Sequence, residues 1–161
     1  MTAELKKWLT EHAPESDVLV NEPVMSIGVA AKIAGLSESA LRKYETAGLI
    51  LFHRTATRRR VLSLEDLERV KIIQSLIRNK GLNLEGILRL WTLIPCWDLK
   101  KCASEIRNDC QAVNDSSRPC WVLLKNQGCD GQADCRTCEV YRFGAYCTED
   151  IKALIRKASK V

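Results

Sequence analysis

The residues most suited to chemistry are eight cysteines, all of which lie between Cys96 and Cys147, while the first 95 residues contain none. Their spacing is irregular, and only Cys135 and Cys138 form a Cys-x2-Cys pair, the spacing that lets two sulfurs reach one metal centre. The two histidines, His12 and His53, lie outside this segment. Any metal bound here must therefore be held essentially by thiolates.

Three uses of these sulfurs are compatible with the spacing. An iron–sulfur cluster accepts thiolates from scattered loop positions. Structural zinc needs four thiolates and would leave several cysteines without a role. Disulfides suit a loop-rich segment but not a reducing compartment. We therefore expect an iron–sulfur cluster, with zinc as the alternative and disulfides third.

Composition favours an intracellular, globular chain. The 161 residues are 46% hydrophobic and 28% charged, with a net charge of +5 that suggests an anionic partner. No apolar run reaches the length of a membrane span, and the charged N-terminal segment lacks the apolar core of a secretory signal. These features predict a cytoplasmic protein that makes no membrane contact.

The cysteine-free half has the pattern of a helix-turn-helix. Residues 2–13 read as a short amphipathic helix and residues 14–24 as a linker. Ser26 and Ser37 each precede a short helix, and Gly35 and Gly48 can end those helices in the left-handed conformation. In the first of these helices the apolar face is expected to contain Ile27, Ala30, Ala31 and Ile33. The alternative is a pair of ordinary core helices.

A basic segment after the second helix favours the helix-turn-helix. It reads FHRTATRRRVLS and predicts a wing, a hairpin lying against a phosphate backbone. Between Arg42 and Arg60 the chain has six Lys or Arg residues and a single acid, Glu45. The alternatives are a solvated loop, since most charge runs are solvated, and a Glu45 that merely pairs with Arg42 or Lys43.

Two more helices are predicted after the wing. Ser63-Leu64-Glu65-Asp66 resembles a capping box, and Gly81 ends the helix that it starts. The apolar stripe expected along this helix consists of Leu64, Leu67, Val70, Ile73 and Ile77. Asn83 opens the next helix, which Pro95 breaks.

Residues 25–94 resemble the DNA-binding domain of MerR-family transcription regulators. The matching words are SIGVAAKIAGLSESALRKYETAGLI, RTATRRR, LSLEDLERVKII and GLNLEGIL. The family often has Gly-Tyr-Arg where this chain has Arg58-Arg59-Arg60. The resemblance implies double-stranded promoter DNA as a partner, a homodimer, and RNA polymerase as a further partner.

The resemblance also implies which side chains meet DNA. Those expected at the major groove or its phosphates are Ser37, Ser39, Arg42 and Lys43. Tyr44 is expected to bond a phosphate, although its ring could instead belong to the core. The wing residues expected on the adjacent backbone are His53, Arg54, Arg58, Arg59 and Arg60.

Residues 95–141 resemble the two-CW domain, a small cysteine-rich module of bacterial signalling and regulatory proteins. The matching words are PCWDLKKC, NDC, RPCWVLLKNQGC and CRTCEVY. Cys147 lies outside the pattern and is expected to be a bystander. The cysteines that match, and that we expect among the metal ligands, are Cys96, Cys102, Cys110, Cys120, Cys129, Cys135 and Cys138.

The sequence therefore predicts a mainly α protein, with a winged helix-turn-helix followed by a small irregular cysteine-rich module. The predicted divisions are 1–24, 25–94, 95–147 and a basic C-terminal helix over 148–161. The predicted function is transcription regulation by DNA binding, with redox or metal sensing by the cysteines and no enzymatic activity. The alternative is a zinc-stabilised interaction protein, and a redox enzyme using Cys135 and Cys138 ranks third.

Overall fold

The computed structural model of the protein describes residues 21–124, 129 and 134–144. The predicted N-terminal helix, the predicted C-terminal helix and Cys147 lie outside the described residues. Within them the chain is mainly helical with one small sheet, so the predicted fold class is confirmed. No helix in the described part is both long enough and apolar enough to cross a bilayer. The chain divides into two compact units, with the division falling between Ile87 and Leu88.

The first unit contains a helix pair, a hairpin and a long helix. Its elements are β1 (Met25–Ser26), α1 (Ile27–Ala34), α2 (Glu38–Ala47), β2 (His53–Arg54), β3 (Arg60–Leu62), α3 (Leu64–Lys80) and the start of α4 (Leu84–Trp91). The last turn of α4 belongs to the second unit.

The second unit is built from short helical turns. These are α5 (Cys96–Leu99), α6 (Ser104–Asp109), α7 (Gln111–Asn114), α8 (Cys120–Leu123), a 3₁₀ helix (Cys135–Thr137) and α9 (Glu139–Gly144). The helix α9 packs against α5 and the 3₁₀ helix, and α7 packs against both α6 and α8.

The helix-turn-helix is fixed by local capping. The Ser26 hydroxyl accepts a hydrogen bond from the Val29 N–H at 3.3 Å, and the Ser37 hydroxyl accepts one from the Ala40 N–H at 3.2 Å. Gly35 ends α1 in the left-handed conformation at φ 64°, which a residue with a side chain adopts only at a cost. The predicted helix bounds and turn are confirmed.

The predicted wing is an antiparallel hairpin of β2 and β3. In its register His53 lies opposite Val61, and Arg54 lies opposite Arg60. On its other side β3 pairs with β1, placing Met25 opposite Leu62. Sequence reasoning did not find β1, because two residues are too short for an alternating pattern to show.

The long helix α3 begins with the predicted capping box. The Asp66 N–H donates to the Ser63 hydroxyl at 3.1 Å, and the Ser63 N–H donates to the Asp66 carboxylate at 2.9 Å. Burial raises the pKa of Asp66, and the hydrogen bond from the Ser63 N–H opposes that rise. One turn later the buried Arg69 donates from Nε to the Leu49 carbonyl at 2.7 Å. This bond ties the start of α3 to the segment that leaves α2.

The core of the first unit differs from the predicted apolar faces, since Ile33 and Leu64 are exposed and Ile27 and Ile77 are only half-buried. In α1, Ala30 and Ala31 are buried where the helix packs on α2 and α3, whereas Ile33 is 55% exposed. In α3 the buried stripe consists of Leu67, Val70, Ile73 and Leu76, whereas Leu64 is 46% exposed. The expectation that Ile33 and Leu64 are buried was therefore wrong. Leu64 is the first residue of α3, and burial begins one turn further on.

The turn of the wing contains an arginine in a conformation that favours glycine. Arg58 has φ 60°, and its N–H donates to the Thr55 carbonyl at 2.8 Å. A left-handed conformation costs a residue with a side chain about 1–2 kcal/mol. Arg58 occupies the position where the resembling family often has glycine, so the chain keeps a basic side chain there despite the strain.

This strain predicts opposite effects for the same substitution at two neighbouring positions. Arg58→Gly should raise the free energy of unfolding by about 1 kcal/mol because it relieves the left-handed strain. Arg59→Gly should lower it by about 0.5–1 kcal/mol because Arg59 has an ordinary φ, so glycine only adds entropy to the unfolded chain. Urea denaturation followed by circular dichroism measures both. Since each variant loses one exposed arginine, equal shifts would contradict a strained Arg58.

Candidate functional site

One exposed surface is formed by the beginning and middle of α2. Ser37, Ser39, Arg42 and Lys43, predicted to face DNA, are all exposed. The hydroxyls of Ser37 and Ser39 lie 2.9 Å apart in a hydrogen bond. Arg42 is paired with Glu38 one turn earlier, at 2.7 Å. An exposed pair of this kind contributes little to stability and can exchange for another anion.

Tyr44 faces the interior. Its side chain is 7% exposed, and burial raises the pKa of its hydroxyl while the charge of Arg78 opposes the rise. The ring therefore belongs to the core of the first unit, which is the alternative that the sequence left open for Tyr44. A phosphate contact through its hydroxyl stays a prediction.

Glu45 joins the wing to α2. Its carboxylate accepts hydrogen bonds from Arg54 at 2.5 Å and from the Nε of Arg60 at 2.6 Å. The alternative in which Glu45 merely pairs with Arg42 or Lys43 does not describe the structure, because Glu45 bonds one arginine on each strand of the hairpin. The Glu45 side chain is 18% exposed, and pairing it with two arginines offsets the cost of withdrawing the carboxylate from water.

The remaining wing residues present positive charge at the turn. Arg58 and Arg59 are exposed, whereas His53 is half-buried in β2. The Thr55 hydroxyl accepts a hydrogen bond from the Arg59 N–H at 3.1 Å, which holds the turn closed. The hairpin therefore has arginines fixed by Glu45 at its base and arginines extending from its turn.

This combination suits a nucleic-acid duplex. An exposed helix carrying hydroxyl and cationic side chains can enter a major groove, and a basic hairpin can lie along the neighbouring phosphates. All ten residues predicted to contact DNA fall on α2 or the wing.

A second site lies wholly in the second unit. All seven cysteines predicted as metal ligands line one cavity. Cys138 is buried and the other six are half-buried. No disulfide joins any of these seven, although they come from five separate stretches of chain. The structure thus brings the predicted residues to one cavity.

The thiols surround this cavity without meeting at a point. Across the part of the chain that the structure describes, no three His, Cys, Asp or Glu side chains are arranged to hold a metal ion. The Cys120 thiol is hydrogen-bonded to the Cys96 thiol, and that bond, together with burial, raises the pKa of Cys120. Burial also raises the pKa of Cys135 and raises the pKa of Cys129 to about 11. These groups are neutral thiols at pH 7, and a bound metal would have to displace their protons.

Aromatic rings support the cavity from one side. The rings of Trp91 and Trp121 have centroids 5.8 Å apart, and Tyr141 meets Trp121 edge-on at 5.4 Å. We call these three residues the aromatic cluster. Trp97 has a different role, because it is half-buried and stacks under the guanidinium of Arg107 at 5.3 Å. Trp97, which follows Cys96, is therefore half-buried, whereas Trp121, which follows Cys120, is fully buried.

Comparison with known protein families shows what the first unit is similar to. Residues 25–92 match the family described as MerR HTH family regulatory protein. The described fold of the first unit has the parts that this match requires, namely helix-turn-helix, wing and following helix. This part of the chain is a helix-turn-helix domain of the MerR type. The match ends before Cys96, so the two-CW resemblance of residues 95–141 stays a prediction.

A curated relative supports the same class. The putative heat shock protein HspR of Streptomyces coelicolor is 43% identical over 68 residues. The aligned part is 42% of this chain and 45% of the relative, so the chain spans about half the length of the curated relative that it matches.

The aromatic cluster predicts which tryptophan supports the second unit. Trp91→Ala should lower the free energy of unfolding by about 3–5 kcal/mol, because it empties a fully buried site against Trp121. Trp97→Ala, the matched control, should cost about 1 kcal/mol because its ring is half-buried and a cation–π contact is worth about that much. Urea denaturation monitored by the fluorescence of the remaining tryptophans measures both. A Trp97 variant as unstable as the Trp91 variant would contradict this assignment.

Proposed function

We propose that this protein is a DNA-binding transcription regulator whose cysteine cavity binds an iron–sulfur cluster or a metal ion and adjusts DNA binding to redox or metal status. The observation that carries the DNA-binding part is the exposed face of α2 joined to a basic wing through Glu45. Such a pair fits one turn of duplex, with α2 in the major groove and the wing on the flanking phosphates.

The arginines of the wing form two groups, one bonded to Glu45 and one exposed at the turn, and the exposed group is the better placed to bind phosphates. Glu45 holds Arg54 and Arg60 close to α2, so these arginines serve first to position the wing. Arg58 and Arg59 extend from the turn, where a phosphate can replace water around each guanidinium. Arginine suits this use because its planar fork bonds two phosphate oxygens at once.

The proposed assembly is a homodimer on a symmetric stretch of promoter DNA, with RNA polymerase as a further partner. Two copies of one helix-turn-helix read two half-sites about one helical turn apart. A dimer also doubles the number of neutralised phosphates and so steepens the dependence on salt.

The cysteine cavity supports the sensing part. Seven thiols around one cavity are far more than a small core needs, and soft metals and clusters prefer thiolate ligands. The helix α4 contains residues of both units and ends at Trp91, within the aromatic cluster. A change of ligation beside Trp121 can therefore reach α4 through packed side chains.

DNA binding should depend steeply on salt. The association constant for a duplex selected from a random pool should fall with salt at a log–log slope of about −4 or steeper. Arg58→Ala and Arg59→Ala should each flatten that slope by roughly two in a dimer, because each removes one phosphate contact per protomer. Fluorescence anisotropy across a salt series measures the slope. As a control, Lys71→Ala removes an equal charge from α3 and should leave the slope unchanged. A salt-independent affinity would rule out this mode of binding.

If the cysteine cavity senses a bound metal or cluster, the affinity for DNA should change when that metal or cluster is removed. Chelation of the anaerobically purified protein should change the dissociation constant for the selected duplex at least tenfold, a coupling of about 1.4 kcal/mol. The double variant Cys135→Ser/Cys138→Ser should show the affinity of the chelated protein and should not respond to chelator. Circular dichroism should confirm that the first unit stays folded. Equal DNA affinities before and after chelation would contradict the sensing part of the proposal but not the DNA-binding part.

A further inference from the structure

One acidic side chain on the exposed surface of α2 has no part in the function proposed above. Glu38 is the first residue of α2, directly after the Ser37 cap, and its side chain is 45% exposed. Its Oε2 accepts a hydrogen bond from Nη2 of Arg42 at 2.7 Å. Arg42 is one of the residues expected at the DNA, and a carboxylate beside it opposes the approach of phosphates. Attraction to the DNA backbone therefore does not account for a negative charge at this place.

Three features hold the Glu38 carboxylate in position. It lies in the first turn of α2, where the positive end of the helix dipole favours an anion. It bonds Arg42 one turn further on, a spacing at which opposite charges on a helix attract. Its other oxygen, Oε1, lies so close to α1 that a Cβ placed on Gly28 would approach it to 3.0 Å. The carboxylate is thus set between the two helices of the helix-turn-helix, in room that the glycine leaves.

This pairing makes Arg42 unlike the basic residues around it. Lys43 on α2 is an exposed cation, as are Arg58 and Arg59 at the turn of the wing, and a phosphate can approach each of them from solvent. The charge of Arg42, in contrast, lies against the charge of Glu38. From the position of a phosphate the two side chains together are electrically neutral. Arg42 is therefore a poor phosphate ligand compared with the exposed cations.

A guanidinium whose charge is compensated still keeps its hydrogen-bond donors. The bond to Glu38 comes from Nη2 of Arg42, and the remaining N–H groups of the planar fork can donate to another acceptor. A base edge offers neutral acceptors, and O6 and N7 of guanine in the major groove are the pair that an arginine fork fits. A phosphate that took the place of Glu38 would lie beside the displaced carboxylate, which the helix keeps within one turn. The Glu38 contact therefore favours bases over phosphates as partners of Arg42.

We infer that Glu38 is a specificity-determining residue of the DNA-binding surface, whose carboxylate holds the Arg42 guanidinium for a guanine edge and keeps it from phosphates. Glu38 acts through Arg42 and is in that sense a positioning residue. The inference rests on the DNA-binding part of the proposed function and is independent of the cysteine cavity. Its consequence is that Glu38 lowers the affinity for DNA of any sequence and raises the selectivity between sequences.

The test compares Glu38→Gln with the unsubstituted full chain on two duplexes, one selected from a random pool and one of unrelated sequence. Glutamine keeps the size of the side chain and removes its charge. The log–log salt slope on the unrelated duplex should steepen by about one for each protomer bound, because the released guanidinium neutralises a phosphate. The ratio of the two affinities should fall about tenfold, the effect of losing one well-placed base contact. Fluorescence anisotropy across a salt series measures both quantities.

Glu68→Gln is the matched control. Glu68 forms an exposed ion pair with Lys71 on α3, so the variant removes an equal charge from a pair of the same kind. It should leave the salt slope and the ratio of affinities unchanged. Circular dichroism should show both variants folded, because exposed ion pairs contribute little to stability. Equal changes in the two variants would mean that only net charge matters, and would overturn the inference.

A panel of selected duplexes, each with one base pair changed, shows whether Glu38 acts through Arg42. In the unsubstituted protein, replacing one particular G·C pair should weaken binding about tenfold. Arg42→Ala should abolish this preference, and Glu38→Gln should reduce it at the same base pair. In the double variant the glutamine should have no further effect. A preference lost at a different base pair, or an effect of Glu38→Gln that persists without Arg42, would contradict the inference.

The remaining outcomes separate the inference from the proposed function. If Glu38→Gln leaves the ratio of affinities and the salt slope unchanged, the role of Glu38 is wrong while DNA binding stands. If the unsubstituted protein binds neither duplex with a salt-dependent affinity, the proposed DNA binding fails, and the role of Glu38 fails with it.

Discussion

The first unit depends on the carboxylate of Glu45. A two-stranded hairpin is barely stable alone in water, and this one has strands of two and three residues. Glu45 accepts a hydrogen bond from an arginine on each strand, so one side chain of α2 fixes both halves of the wing. The β1–β3 pairing holds the hairpin on its other side, and the Arg69 bond to the Leu49 carbonyl fixes the segment that leads from α2 to the hairpin. Without Glu45, Arg54 and Arg60 would lose the carboxylate that both of them bond, and the basic residues of the wing would repel one another.

Local rules were enough to predict the helices of this unit, because each helix end is decided by residues within one turn of it. Ser26, Ser37 and Ser63 cap the helices that they precede, and Gly35 and Gly81 end theirs in the left-handed conformation. Contacts between residues far apart in sequence were not predictable in the same way. Nothing near Glu45 indicates that it bonds Arg60, 15 residues later, rather than its own neighbours. The exposure of Ile33 and Leu64 likewise depends on where neighbouring elements end.

In the cysteine unit, the seven cysteines singled out from the sequence all line one cavity, but their arrangement around it could not be predicted. The count, the absence of histidine and the Cys-x2-Cys pair point to thiolate ligation whatever the fold. Which thiols meet is a property of packing, since Cys96 and Cys120 are distant in sequence and reach one another only through the folded cavity.

The two units differ in what stabilises them, and that difference makes a switch physically reasonable. The first has a core of buried aliphatic side chains around α3. In the described part of the second unit few aliphatic residues are buried, and seven thiols line a cavity beside Trp121 and Tyr141. The proposed sensing therefore requires the free energy of folding of this unit to respond strongly to ligation. Since α4 begins in the first unit and ends at Trp91, this helix is the path that the proposed coupling would take. Coupling of this kind needs no large motion, only a helix whose two ends are stabilised by different means.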